Sequence, residues 1–316
     1  MKEVFSLLET TELKKTFKNK VAVDNVNLYL EKGESVGLLG PNGAGKSTTI
    51  SMISSLIKPT SGEVLWHGKS VVKNPNIIRD VLGVVPQEIA IYEELTAYEN
   101  LQFFGRIYGL KGKALEQKID ETLKIVGLED RKKDLVKTFS GGMKRRINIA
   151  VALLHEPEFI IMDEPTVGID PQSRNYILEM VRKLNEEKGM TVLYTSHYME
   201  EVERLCDRIY IMDHGKIIAT GTKEELTSIL SSEEKIVIEL DRPYPNFVEK
   251  LEQNEKILQV SVSEKGIDLI VPKNSQLLGE IFHIAEKLDV QIVHVNVQVP
   301  TLEDVFLHLT GRNLRD

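Results

Sequence analysis

The chain has 316 residues, 41% of them hydrophobic and 28% charged, with a formal net charge of −8 at pH 7. That length supports one large or two ordinary domains with sizeable cores. No run approaches the roughly 20 apolar residues of a membrane span, the acidic balance argues against a dedicated nucleic-acid binder, and a single cysteine, Cys206, excludes an internal disulfide and fits a reducing compartment.

The N-terminal stretch "MKEVFSLLETTELKK" carries acidic residues inside its apolar run, unlike a signal peptide. Residues from about 4 to 30 alternate apolar and polar and predict strands, most clearly in "VAVDNVNLYL". "ESVGLLG" is a compact apolar run and predicts a buried strand. It leads into "GPNGAGKST" (Gly40–Thr48) and a helix over "TTISMISSLI". "VLGVVPQ" predicts a short strand ending at Gln87. Residues 96–127 are mostly helical in pattern, and a further helix spans 142–155. The buried strand "FIIMDEP" follows, then a helix, then the strand "MTVLYTSH". "RIYIMDHGKIIATGT" predicts a hairpin turning at "DHGK". Strands alternating with helices indicate a mainly parallel sheet that binds ligands at the carboxyl ends of its strands.

The pattern changes near residue 230. "KIVIEL", "NFVEKLEQNE", "ILQVSVSE", "GIDLIVP", "QLLGEIFHIAEKLD" and "VQIVHVNVQ" give the order β-α-β-β-α-β, the ferredoxin-like arrangement, with a last helix over "TLEDVFLHLTG". The polar stretch "LSSEE" marks the boundary, so residues 1–230 are expected to form one domain and residues 231–316 a small α+β domain.

Gly40 to Ser47 matches G-x-x-x-x-G-K-[ST] between a strand and a helix. In that context Gly40, Pro41, Asn42, Gly43, Ala44, Gly45, Lys46, Ser47 and Thr48 form a phosphate cradle. Lys46 is expected to hold the β- and γ-phosphates of ATP, and Ser47 to ligate Mg²⁺. Asp163 and Glu164 end a buried strand. Asp163 suits the Mg²⁺, and Glu164 could accept a proton from an attacking water or orient it. Gln87 and His197 sit just past strands. The first could orient water or touch Mg²⁺; the second could bond the γ-phosphate and hold Glu164, or be structural. Phe17 could stack on adenine or be ordinary core. Ser140, Gly141 and Gly142, within "FSGGMKRR", form a second anion-facing turn at a helix start, or simply a cap.

Taken together, these residues resemble the ATP-binding subunit of an ABC transporter over about residues 4 to 230. "GPNGAGKST" is similar to its Walker A, Gln87 to its Q-loop, "FSGGMKRR" to its signature, "FIIMDEP" to its Walker B, "VGID" (Val167–Asp170) to its D-loop and His197 to its switch histidine. The resemblance implies a P-loop ATPase fold with a mainly parallel core sheet, an antiparallel β region and a helical subdomain. It also implies a head-to-tail pair of subunits, each signature facing the γ-phosphate of the ATP on the other's Walker A. Phe139 and Met143 replace the commoner leucine and glutamine of the signature, and Phe17 stands where tyrosine is usual. "SGGMKRR", "LTAYENL" and "TLEDVFLHLTGR" resemble the drug-resistance and multidrug exporter group, whose membrane subunits are separate chains. The expectation is a peripheral ATPase on the cytoplasmic face of the membrane, with permease partners and no nucleic acid. The rival readings are a soluble ABC-type ATPase of DNA or the ribosome, and a regulatory nucleotide sensor.

Overall fold

The structure, a computed structural model, describes residues 6–196, 198–230, 233–263, 266–273, 275–298 and 301–310. His197, and Ser231 and Ser232 at the expected boundary, lie outside the described residues.

The elements run in the order β1 (Leu8–Phe17), β2 (Lys20–Leu30), β3 (Ser35–Leu39), α1 (Lys46–Ile53), β4 (Ser61–Trp66), β5 (Lys69–Ser70), α2 (Asn76–Arg79), β6 (Leu82–Val85), α3 (Ala97–Ile107), α4 (Gly112–Ile125), α5 (Gly141–Leu153), β7 (Phe159–Asp163), α6 (Pro171–Lys188), β8 (Thr191–Thr195), α7 (Met199–Leu205), β9 (Arg208–Asp213) and β10 (Lys216–Gly221). Beyond these come α8 (Lys223–Thr227), β11 (Glu233–Leu240), α9 (Pro245–Glu252), β12 (Gln259–Ser263), β13 (Gly266–Pro272), α10 (Leu278–Lys287), β14 (Ile292–Gln298) and α11 (Leu302–Thr310). No helix among the described residues is long and apolar enough to cross a membrane.

The chain divides into two compact units, one reaching Lys223 and joined by Thr310, the other Glu224–Leu309. In the first unit, an antiparallel sheet runs β2-β1-β4-β5 and a mainly parallel sheet runs β10-β9-β3-β8-β7-β6. All five residues of β3 are buried, because the strand is covered on both faces and flanked in parallel by β8 and β9. β7 is likewise parallel to β6 and β8, so β3, β7 and β8 end on one edge. The β9–β10 hairpin turns at His214 and Gly215, both at positive φ (45° and 80°), as a two-residue type I′ connection requires. The core joins both sheets and α1 through Leu13, Leu30, Leu38, Ile53, Phe159 and Met212, none more than 1% exposed.

Two helices are shorter than the sequence suggests. α1 stops at Ile53, where Ser54 donates its hydroxyl to Ile50 O (2.8 Å) and Ser55 turns left-handed. The helical stretch 96–127 breaks between α3 and α4 at Gly109, whose φ is 83°.

The second unit's sheet runs β12-β13-β11-β14 with every pairing antiparallel, the strand order of the β-α-β-β-α-β arrangement. Phe247 and Leu251 of α9 and Ile281 of α10 pack with Ile238, Leu269 and Val271 in a core of its own. Burying each such side chain contributes about 2 kcal/mol.

Candidate active site

The loop after β3 is shaped by its glycines. Gly45 has φ 109°, and a β-carbon there would lie 2.6 Å from Ala22 O and 2.8 Å from Met212 Cε. One at Gly40 would lie 2.3 Å from Met212 O. Only glycine lets the backbone press this close to β2 and β9 while turning into α1. Lys46 opens α1. It is 5% exposed, and its Nζ donates to Gly40 O (2.6 Å) and Pro41 O (3.2 Å), which places the ammonium across the mouth of the loop. Burial pulls the Lys46 pKa below the usual lysine value, while the carboxylates of Glu164 and Asp163 draw it back up.

Glu164 sits immediately after β7, 5% exposed, with Oε1 3.9 Å from Lys46 Nζ. The general-base candidate and the candidate phosphate-binding lysine, 118 positions apart in the sequence, therefore lie side by side. Glu164 has φ 48°, a left-handed conformation rare outside glycine. Thr195, at the end of β8, braces the acidic pair. Its hydroxyl donates to Asp163 Oδ1 (2.8 Å) and accepts the backbone N–H of Glu164 (2.9 Å). Thr195 was not singled out from the sequence, because only the β7–β8 register brings it there. Ser47 is exposed, and Asp163 is half-buried with its carboxylate at the sheet's ligand edge. Ser47, Asp163 and exposed Gln87 each carry a side-chain oxygen, the kind of donor a hard cation such as Mg²⁺ takes.

Gln87 lies past the end of β6 in a segment strapped to α5. The buried guanidinium of Arg145 donates to Pro86 O (2.6 Å) and to Gln87 O, and Asn148 Oδ1 accepts from Ala90 N (3.3 Å). Lys144 adds an ion pair with Glu93 (2.7 Å). The basic run after Gly141 and Gly142 thus splits by role: Arg145 is interior and holds the backbone at Pro86 and Gln87, which the sequence pattern does not show.

Ser140 is the N-cap of α5, its hydroxyl accepting from Met143 N (3.3 Å). Ser140 and Gly141 are exposed. Gly142 is buried, and a β-carbon there would lie 2.2 Å from Ser173 Oγ; at Gly141 none of the described residues lies within 4 Å of one. Asp170 caps α6 by accepting from Ser173 N (2.9 Å). Phe17 ends β1 at 48% exposure, with Lys15 Nζ 5.1 Å from its ring centre, so it is a surface ring and not core.

A strand, a glycine loop closing on a helix lysine, and a second strand delivering two acids to the same edge define a P-loop nucleoside-triphosphatase. The family model described as ABC transporter matches residues 23–167. The chain is 48% identical to the linearmycin resistance ATP-binding protein LnrL of Bacillus subtilis, over 98% of this chain and 100% of that one. It is 36% identical to the Nod factor export ATP-binding protein I of Cupriavidus metallidurans, over 98% and 99% of the two chains. Among solved structures, it matches a dimeric ATP-binding cassette in a post-hydrolysis state with ADP and Pi, at TM-score 0.63 and 31% identity, covering 68% of this chain and 98% of that one. The chain belongs to the ABC transporter family, as an ATP-hydrolysing, ATP-binding subunit.

Proposed function

We propose that this chain powers the export of an amphipathic antibiotic or drug-like compound through separate membrane subunits, working peripherally at the cytoplasmic face of the membrane. The observation that carries this reading is the 48% identity to a linearmycin resistance ATP-binding protein along the full length of both chains. The relative named for Nod factor export is less similar, at 36% identity. Tyr92, Phe103, Ile107 and Tyr108 are 39–64% exposed on and beside α3, an apolar surface suited to a permease partner.

In this reading residues 1–230 carry nucleotide chemistry and residues 231–316 are accessory. Phe17 stacks on the adenine. The loop from Gly40 to Thr48 wraps the phosphates, with Lys46 on the β- and γ-oxygens. Glu164 accepts the proton of the attacking water, and His197 supports it. Mg²⁺, held through Ser47, Gln87 and Asp163, would neutralise charge on the phosphates. Ser140, Gly141 and Gly142 serve the nucleotide of a second, head-to-tail copy. The open space around Gly141 supports this, since no described residue lies within 4 Å of a β-carbon placed there.

Purified Lys46→Ala protein is expected to lose ATPase activity; wild-type turnover would overturn the loop assignment. Glu164→Gln is expected to keep ATP and collect as a dimer on size exclusion, because an amide cannot take the proton. Mixing Lys46→Ala with Gly141→Asp subunits should restore one composite site and partial activity that neither parent has. No recovery in demonstrated heterodimers would rule out the head-to-tail arrangement. Export itself is tested by linearmycin susceptibility of cells with and without the chain.

A further inference from the structure

We propose that Glu201 is a positioning residue, whose buried carboxylate holds the turn after Glu164 against the end of β8 and so keeps Glu164 in its left-handed conformation. Glu201 lies on α7 and is 3% exposed. Its carboxylate gathers donors from three other parts of the first unit. Thr166 Oγ1 donates at 2.8 Å to each carboxylate oxygen, Tyr194 OH donates at 2.9 Å and Ser196 Oγ at 2.6 Å. Arg174, on the first turn of α6, brings its Nε to 3.5 Å and stacks its guanidinium 4.1 Å from the centre of the Tyr198 ring. Ser196 Oγ in turn accepts from Tyr198 N at 2.9 Å.

A carboxylate suits such a place, because its two oxygens can accept from all the converging hydroxyls while the Arg174 guanidinium lies close by. Thr166 is two residues past Glu164. A left-handed non-glycine residue persists only where its surroundings over-determine it. Here the backbone N–H of Glu164 is held by Thr195, and two residues on the turn is held by Glu201 through Thr166. Both braces come from β8 and α7. Glu201 therefore ties the turn that carries Glu164 and leads into Val167–Asp170 to the segment around Ser196 and Tyr198. Releasing it should disturb the direction of the Glu164 carboxylate and leave the glycine loop intact.

The test compares Thr166→Val, which keeps shape and removes the hydroxyl with both of its contacts to Glu201, with Thr166→Ser, which keeps the hydroxyl, and with Glu201→Gln. For Thr166→Val, kcat should fall roughly tenfold or more while ATP affinity stays within about twofold, as misplacement of a catalytic group predicts. Thr166→Ser should restore kcat. In the nucleotide-free proteins, amide hydrogen exchange across residues 166–170 should quicken in Thr166→Val and Glu201→Gln and stay at the wild-type rate in Thr166→Ser. Unchanged kcat and exchange in Thr166→Val would overturn the proposal. So would an equal loss of ATP binding and turnover, or a failure of Thr166→Ser to rescue. If Glu201→Gln does not fold, the Thr166 pair decides alone.

Discussion

Lys46 carries a cost that nucleotide should relieve. Burial depresses its pKa in the free protein, and Glu164 and Asp163 only partly oppose this. Triphosphate oxygens favour the charged ammonium, so the bound-state pKa lies higher. Between the two values binding takes up a proton, and affinity for ATP is therefore expected to weaken as pH rises through the depressed value. Titration calorimetry in buffers of different ionisation enthalpy checks the sign; proton release on the alkaline side would contradict it. The signature glycines make a second residue-scale contrast. Gly142→Ala drives a methyl against Ser173 and should destabilise by about 1–3 kcal/mol, whereas Gly141→Ala meets open space and should leave unfolding almost unchanged. Denaturant melts of the two variants decide between them. Cys206 belongs at this scale too: burial pushes its thiol up to about 12, so the half-buried sulfur should alkylate more slowly at neutral pH in the folded protein than in the unfolded one.

At the scale of elements, α3 owes its start to a capping box. Thr96 accepts from Glu99 N, and Glu99 returns a bond to Thr96 N (2.8 Å). Thr96→Ala should cost about 1 kcal/mol and lower Tm by about 2–4 °C for a unit of this size. The box "TAYE" is visible in the sequence, as are the apolar strands β3 and β7 and the glycine loop, because each is local. What was not legible depends on pairing across the sheet. Thr195 meets Asp163 across 32 positions, and Glu201 meets Thr166 across 35. Neither spacing carries a periodicity, so no reading of neighbours along the chain could bring these groups together. Arg145 was hidden for a related reason. A basic run looks like a solvated face until the helix direction turns one of its members inward. The break between α3 and α4 was legible in principle, since "YGLKG" holds the glycine that makes it.

At the scale of the whole molecule, the second unit has its own core, built on Ile238, Phe247 and Leu269, and the residues proposed to face phosphate all lie in the first. A chain ending at Leu230 is expected to bind ATP with affinity near that of the full chain. Complete loss of binding in a folded truncated protein would mean that the second unit helps build the site. The strap between the Pro86–Ala90 segment and α5 bears on how such a protein does work. Arg145 and Asn148 leave little slack between the exposed loop and the helix that begins at the signature. A connection of that kind has no preferred direction, because equilibrium coupling free energies are reciprocal. If nucleotide at Ser140–Gly142 shifts the outer loop, then a permease that binds that loop in the proposed reading must change the affinity for nucleotide by the same factor. Cargo on one side of the membrane could thus be sensed as a change in ATP occupancy on the other, with no messenger except a helix and two side chains.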